Sequence, residues 1–459
     1  MAIRLSFHGA SGTVTGSKFL IETDKEKILV DCGIFQGNKF WRLLNWDEPS
    51  FDIDSLSAIV LTHAHIDHSG YLPLVVRRGF KGPIYCTPAT ADLLNLLLPD
   101  AAHLQEEEAR YANKHGTSKH KPAKPLFGYR DARDALKLIR TIPRDETTKL
   151  FDNIHVTPTC AGHILGSVAL SFDIGGRRIN FSGDVGRYDT PLLPDPQPMD
   201  LGDVLVCEST YGDRVHKTSD VLTELENAVK KSYDKKGALI IPSFAIGRTQ
   251  NLLYYLSQLE REGRIPTIPV YVDSPMAVDA TSIYRRYKHD YDEEASKIIE
   301  SGDLPLLTEN TIFCKSTNES KRINSLDRQR IIISASGMVT GGRILHHMRN
   351  LLPKESTTVL FVGYQAEGTR GRTVQSGAED VKIFGEKIPI RAEVESISGL
   401  SAHGDKDELH RWLKSCSGSP GRVKIVHGEP DSSSTFSEGL RSEFSWESSP
   451  AAYLETIEV

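Results

Sequence analysis

The apolar positions of this chain fall mostly into short runs rich in β-branched residues, each stopped by small or chemically active side chains. Phe19-Leu20-Ile21 and Ile28-Leu29-Val30 flank Asp24-Lys25-Glu26, which predicts a hairpin over 17–31 whose second strand runs into Asp31-Cys32-Gly33. Ala58-Ile59-Val60-Leu61 and the runs at 83–86, 155–158, 178–181, 204–207 and 423–426 repeat the form, a strand followed by a turn or a polar terminus. Tyr71 to Arg78 and 89–113 predict helices, the longer with Leu93, Leu94, Leu96 and Leu97 on its apolar face. Residues 114–125 carry four lysines and no acid, the mark of a solvated loop or of a lid that meets a polyanion.

From 213 to 370 the pattern changes to a separate α/β unit, with strands at 238–241, 270–272, 331–333 and 359–362 and helical stretches between them. Three of its strand ends carry small-residue turns, 242–248, 273–277 and Ser334-Ala335-Ser336-Gly337-Met338, and such turns at helix N-termini favour phosphate. After it the first pattern returns: Ser401-Ala402-His403-Gly404-Asp405 precedes a helix over 406–415, and Val423-Lys424-Ile425-Val426 ends in His427-Gly428-Glu429. The chain therefore divides into 1–212, an inserted unit at 213–370, and a returning part at 371–459.

Chemistry concentrates at the strand ends. His63, His65, Asp67 and His68 follow the strand at 58–61. Residues two apart in an extended chain point the same way, so His63 and His65 can share one metal while the following turn carries Asp67 and His68 to a second. His163, Asp184 and His427 end later strands and complete the set: His63, His65 and His163 for one site, Asp67, His68 and His427 for the other, with Asp184 as bridge. Nitrogen and carboxylate ligands without thiolate suit catalytic zinc, and two zinc ions about 3.5–4 Å apart would share a hydroxide, a nucleophile for hydrolysis at neutral pH. Asp31 is either a turn former or a carboxylate that orients a metal-binding histidine. His403 and Glu208 stand outside the ligand count. A histidine steadied by a carboxylate can protonate a leaving oxygen, so His403 is assigned as general acid with Glu208 as its partner, and Asp67 and Asp184 complete the catalytic set. The plain alternative for His403 is a residue at a helix start, hydrogen-bonded in the core.

Composition narrows the class. A chain of 459 residues with 39% hydrophobic and 25% charged residues suits a globular protein of two to three domains. Its six cysteines are scattered singly, which suggests free thiols in a reducing compartment. The first residues lack the apolar core of a signal peptide and no run approaches membrane-spanning length, so the expectation is a cytoplasmic protein with no membrane partner. A net charge of −6 argues against an overall basic nucleic-acid binder but allows a local positive groove supplied by metal ions.

His63-Ala64-His65-Ile66-Asp67-His68, with Asp31, His163 and Asp184, resembles the metallo-β-lactamase superfamily and implies its αββα sandwich. Glu208, Ser401-Ala402-His403 and Val426-His427-Gly428-Glu429, with 208–212 and 363–369, resemble the further motifs of the β-CASP branch, whose members process nucleic acids. The resemblance therefore implies an α/β protein, a metallo-β-lactamase sandwich with an inserted α/β β-CASP domain. Within that branch the last motif is His in RNA-directed members and typically Val in DNA-directed ones, so His427 points to RNA. The chain resembles the bacterial and archaeal relatives of the cleavage-and-polyadenylation endonuclease subunit. It differs from some of them in showing no KH modules at its start and no long extension at its end, which puts the usual dimerisation element in doubt and leaves a homodimer open. The implied activity is zinc-dependent hydrolysis of phosphodiester bonds in single-stranded RNA, endonucleolytic, with RNA lying between the domains. Backbone N–H groups at Ser336 and Gly337 and the arginines Arg248 and Arg343 would hold its phosphates, making binding salt-dependent. Three rivals remain: a DNA nuclease, a small-ester hydrolase on the same sandwich, and a non-catalytic RNA-binding scaffold.

Overall fold

The structure, a computed structural model, describes residues 2–216, 220–363, 365–397 and 399–459; Tyr364 of the 363–369 motif and Met1 lie outside them. It divides into two compact units, Met1–Tyr188 with Pro194–Val215 and His403–Val459, and Asp189–Leu193 with His216–Ala402.

Among the described residues, the first unit holds two seven-stranded sheets. One runs Thr456–Glu458, Arg4–Phe7, Phe19–Glu22, Lys27–Val30, Ala58–Val60, Ile84–Cys86, Ile139–Thr141; the other runs Ser448–Pro450, Arg422–Val426, Val204–Glu208, Arg177–Phe181, Val168–Ile174, Ile154–Cys160, Thr148–Phe151. Period-2 alternation turns Leu5, Phe7, Phe19, Ile21, Ile28 and Val30 toward Val156, Leu170, Phe172, Ile179 and Phe181, and these side chains form one buried core. The opposite face of the second sheet, with Ala169, Leu205, Cys207, Val423 and Ile425, packs on Leu409, Trp412 and Leu413 of the helix Lys406–Ser415 and on Phe436 and Leu440 of Pro430–Phe444. Beside the first sheet, helices Leu72–Arg77 and Pro88–His115 each pack on Tyr129–Leu136. Helix, sheet, sheet, helix is the layering that the motifs led one to expect.

This layering positions the chemistry. Arg177–Phe181, Val204–Glu208 and Arg422–Val426 are parallel neighbours, with Phe181 opposite Val206 and Glu208 opposite Val426. Parallel strands end on the same edge, so Glu208 at the end of one strand and Asp184 and His427 just past the ends of the others emerge together. In the other sheet Val30 pairs in parallel with Val60, which brings Asp31 beside the segment that carries His63.

The second unit has a six-stranded parallel sheet in the order Thr311–Phe313, Val270–Val272, Arg330–Ser334, Ala238–Pro242, Thr358–Phe361, Glu393–Ser396. Its central strands are buried along their whole length, as helices on both faces require, which is why they read as unbroken apolar runs. Thr311–Phe313 and Glu393–Ser396 add edges that the apolar pattern did not announce, and the latter carries this unit on to Ala402, beyond residue 370. No described helix is long and apolar enough to cross a membrane, and all six cysteines are free thiols.

Candidate metal centre

All the strand-end ligands of the first unit converge. His63 Nε2 and His163 Nε2 each lie 3.1 Å from His65 Nδ1, and both lie 3.4 Å from Asp184 Oδ2. Ligand atoms about 2.0–2.1 Å from a tetrahedral zinc stand about 3.3–3.4 Å apart, so these four atoms have the spacing of one such site. Asp184 turns its other oxygen elsewhere: Oδ1 lies 3.2 Å from His68 Nε2 and 3.7 Å from His427 Nε2, and His427 Nε2 is 3.5 Å from Asp67 Oδ2. One carboxylate thus faces two clusters, His63–His65–His163 and Asp67–His68–His427. Asp184 Oδ1 and His427 Nε2 are buried and have no hydrogen-bond partner among the described residues. Such orphaned atoms are costly unless something else pairs with them, and a divalent cation meets both needs. The residues fit a metal.

Around the ligands lies a set of groups that fixes which nitrogen each ring presents. Asp31 Oδ2 accepts from His68 Nδ1 at 2.8 Å, and its Oδ1 accepts from the Thr62 amide at 2.8 Å. The Thr62 hydroxyl lies 2.9 Å from Asp31 Oδ2. Since its one proton goes to that carboxylate, its oxygen accepts from His63 Nδ1 at 3.0 Å. Thr210 Oγ1 stands in the same way 2.9 Å from His427 Nδ1. In His63, His68 and His427, Nε2 is therefore left to bind. Asp31 was legible as an acceptor; Thr62 and Thr210 were not, because a threonine one position before a histidine or two after a glutamate carries no pattern of its own.

The backbone is bent to this purpose. Asp31 has φ 58° and His427 has φ 50°, values that L-residues seldom adopt and that cluster at functional sites. Glycine precedes two ligands: Gly162 before His163 at φ 68° and Gly183 before Asp184 at φ 56°, where a Cβ would meet the Thr62 side chain at 2.9 Å.

Charge follows geometry. Burial holds His63, His65 and His163 below the usual imidazole range, His65 at about 3. Those three rings are neutral and offer lone pairs. Asp184 would be pushed up by burial, but His427 and His68 hold it well below the ordinary carboxylate range, so it stays an anion. His403 Nδ1 lies 3.3 Å from Glu208 Oε2 and 3.9 Å from Asp184 Oδ2. Burial works against its charge, yet Glu208 and Asp184 outweigh it and raise the ring to about 9. Glu208 is itself fully buried, with Oε1 taking the Val185 amide at 2.5 Å and Oε2 the Thr210 amide at 3.3 Å.

The phosphate candidates all belong to the second unit. The Arg343 guanidinium bonds to Asp273 Oδ1 at 2.7 Å and to the carbonyls of Cys314 and Lys315 at 3.1 and 2.6 Å. The sequence could not show that the buried Asp273, also bonded to His347 Nε2 at 2.7 Å, claims it. Arg248 donates to the Val362 carbonyl. The Ser336 hydroxyl closes its own turn, accepting from the Thr340 amide at 3.0 Å.

Comparison with known proteins places these units in context. Residues 12–225 match the family model of the metallo-beta-lactamase superfamily, 249–374 match the Beta-Casp domain, and 387–449 match the Zn-dependent metallo-hydrolase RNA specificity domain. Ribonuclease TTHA0252 of Thermus thermophilus is 35% identical over 94% of each chain. Transcription termination factor FttA of Methanocaldococcus jannaschii is 34% identical over 100% of this chain and 72% of its own, and that of Pyrococcus horikoshii is 32% identical over 99% and 71%. A solved protein of unknown function from Enterococcus faecalis superposes over the full length of both chains with a TM-score of 0.55 at 12% identity, a likeness of fold alone.

Proposed function

Because the chain belongs to the β-CASP branch of the metallo-β-lactamase superfamily, we propose that it is a zinc-dependent ribonuclease that cuts phosphodiester bonds inside single-stranded RNA. The observation that carries the reading is the place of His403: a proton donor paired with the buried Glu208, 3.9 Å from the carboxylate that two ligand clusters share. A small-ester hydrolase on the same sandwich needs neither group. The His427 ring at the end of its strand supports RNA over DNA by the family pattern, and the six free thiols support a reducing compartment.

His63, His65, His163 and Asp184 would hold one zinc ion, and Asp67, His68, His427 and Asp184 the second. When bound, the pair supplies Lewis acidity and makes water a nucleophile near pH 7. The rest of the work falls to the protein. Asp31, Thr62 and Thr210 keep the ligand rings in the right tautomer. Glu208 accepts from His403 Nδ1 and so keeps the imidazolium charged and turned. His403 Nε2 passes its proton to the oxygen that leaves when the phosphodiester breaks.

The test is a single-stranded RNA labelled at either end in parallel digests, with the Asp184→Ala protein as contamination control. Internal fragments from the zinc-replete unmodified protein alone, and an intact DNA of the same sequence, are the expected result. No cutting of RNA would sink the reading in favour of another ester substrate. The acid role has its own signature. An acid held at about 9 is protonated below that pH and lost above it, so activity should decline as pH rises through the alkaline limb. Glu208→Gln removes the anion that raises His403, and the limb should move to lower pH; a limb that stays in place would argue that another group is the acid.

A further inference from the structure

In the second unit, Arg330–Ser334 and Ala238–Pro242 are adjacent parallel strands, with Ser334 opposite Pro242. The helix that follows the first, Ile344–Leu351, lies on one face of the sheet: Ile344, Leu345, Met348 and Leu351 share a core with Ala238, Ile240 and Ile332. The helix that follows the second, Arg248–Arg261, buries Leu252, Leu253 and Leu256 but, among the described residues, adds none of them to that core; it packs instead with Val221–Asp234 and Pro275–Arg286. The chain thus leaves two neighbouring strands toward opposite faces. A crevice opens beyond their carboxyl ends at such a switch point, the place where open α/β sheets bind ligands.

One side chain stands out at that switch point. Phe244, two residues past its strand, is 46% exposed, while Ser243, Ala245 and Ile246 beside it are buried. Its ring rests against the backbone of the neighbouring turn: a Cβ built on Gly337 would lie 3.0 Å from Phe244 Cδ2 and 3.1 Å from Cε2. Gly337 is small because the ring occupies the space a side chain would take. The Phe244 carbonyl is also held, accepting from Thr249 Oγ1 at 2.7 Å, Ser243 Oγ at 3.1 Å and the Thr249 amide at 3.3 Å. Gln365, itself buried, donates to the Gly337 carbonyl at 3.0 Å and so fixes the turn under the ring. On the other side of the same strand the Arg248 guanidinium covers Gly363, its Nη1 2.7 Å from where a Cβ would lie. A half-exposed aromatic face held on one side of a strand end, with a cation on the other side, offers the two elements with which proteins bind single-stranded nucleic acid: the ring takes a base, the cation the backbone.

We propose that Phe244 is a stacking platform for one nucleobase of the bound RNA, a base-tolerant subsite built into the second unit. The proposal rests on the ribonuclease reading, since it needs a single-stranded RNA to fill the site. Every base has a stacking face, so the subsite fixes the strand without choosing its sequence.

The test measures binding to the full chain in the His403→Ala background, whose ligand clusters stay whole and whose slow turnover spares the RNA over the time of a binding measurement. The probes are a uridine oligomer and an abasic ribose-phosphate oligomer of equal length. Phe244→Ala should weaken uridine-oligomer binding by about 5- to 150-fold and leave abasic binding unchanged, the range a lost base stack produces. Phe244→Trp should retain affinity, with its indole fluorescence quenched on binding, whereas Phe244→Leu, which keeps the apolar contact with Gly337, should fall with alanine. Equal loss for both oligomers, full rescue by leucine, or no loss at all would overturn the platform while leaving the ribonuclease reading intact. Failure of the parent protein to bind RNA would overturn both.

Discussion

Asp184→Ala should abolish cleavage and empty the metal centre together. The carboxylate faces His63 and His163 through one oxygen and His68 and His427 through the other, at 3.2–3.7 Å, so its loss removes a ligand from both clusters at once. Even a group one bond further from a metal typically costs about 10- to 100-fold in affinity, and a bridging ligand should cost more than that. Metal analysis of protein purified without chelator should find both positions depleted, and activity should fall below that of any variant outside the ligand set. A protein that kept two metal equivalents without Asp184 would refute the bridging role.

His403→Ala should separate the two properties that Asp184→Ala joins. His403 lies beside Asp184 but pairs with Glu208, so its removal takes away a proton donor and leaves both clusters whole. Turnover should drop about 10²- to 10⁴-fold, the usual worth of a positioned general acid, while metal content stays at the unmodified level. An RNA analogue whose leaving oxygen is replaced by a better leaving group should recover most of the loss, because it needs no proton. Loss of metal in step with activity would instead make His403 a ligand, and an unrescued analogue would assign it a role in folding.

Much of the architecture lay open in the linear pattern, for a specific reason. Central strands of a sheet covered on both sides must be apolar throughout, so 238–241, 331–333 and 359–362 announced themselves, and a chemically active residue directly after such a run is carried to the sheet edge wherever the strand goes. The edge strands Thr311–Phe313 and Glu393–Ser396 did not, because an edge is covered on fewer sides and its side chains stay partly polar. The ion pair of Arg343 with Asp273 was illegible for another reason: the two residues lie 70 positions apart in sequence.

What the sequence by itself determined is which side chains terminate which strands, and so which donor atoms reach the strand-end edge of the first unit. Identity of the ligands, the absence of thiolate among them and the change to a second α/β unit are all local properties, written in runs of a few residues. Only the tertiary structure decided how those atoms face one another. His403 meets Glu208 across 195 residues, Thr210 meets His427 across 217, and Asp31 meets His68 across 37. Each of these contacts depends on the parallel order of strands and on the twist between sheets, quantities set by how two apolar faces pack and not by the residues that end up touching. Phe244 marks the same divide most simply. The sequence places it in a turn after a strand, and only the structure shows its ring half exposed against Gly337.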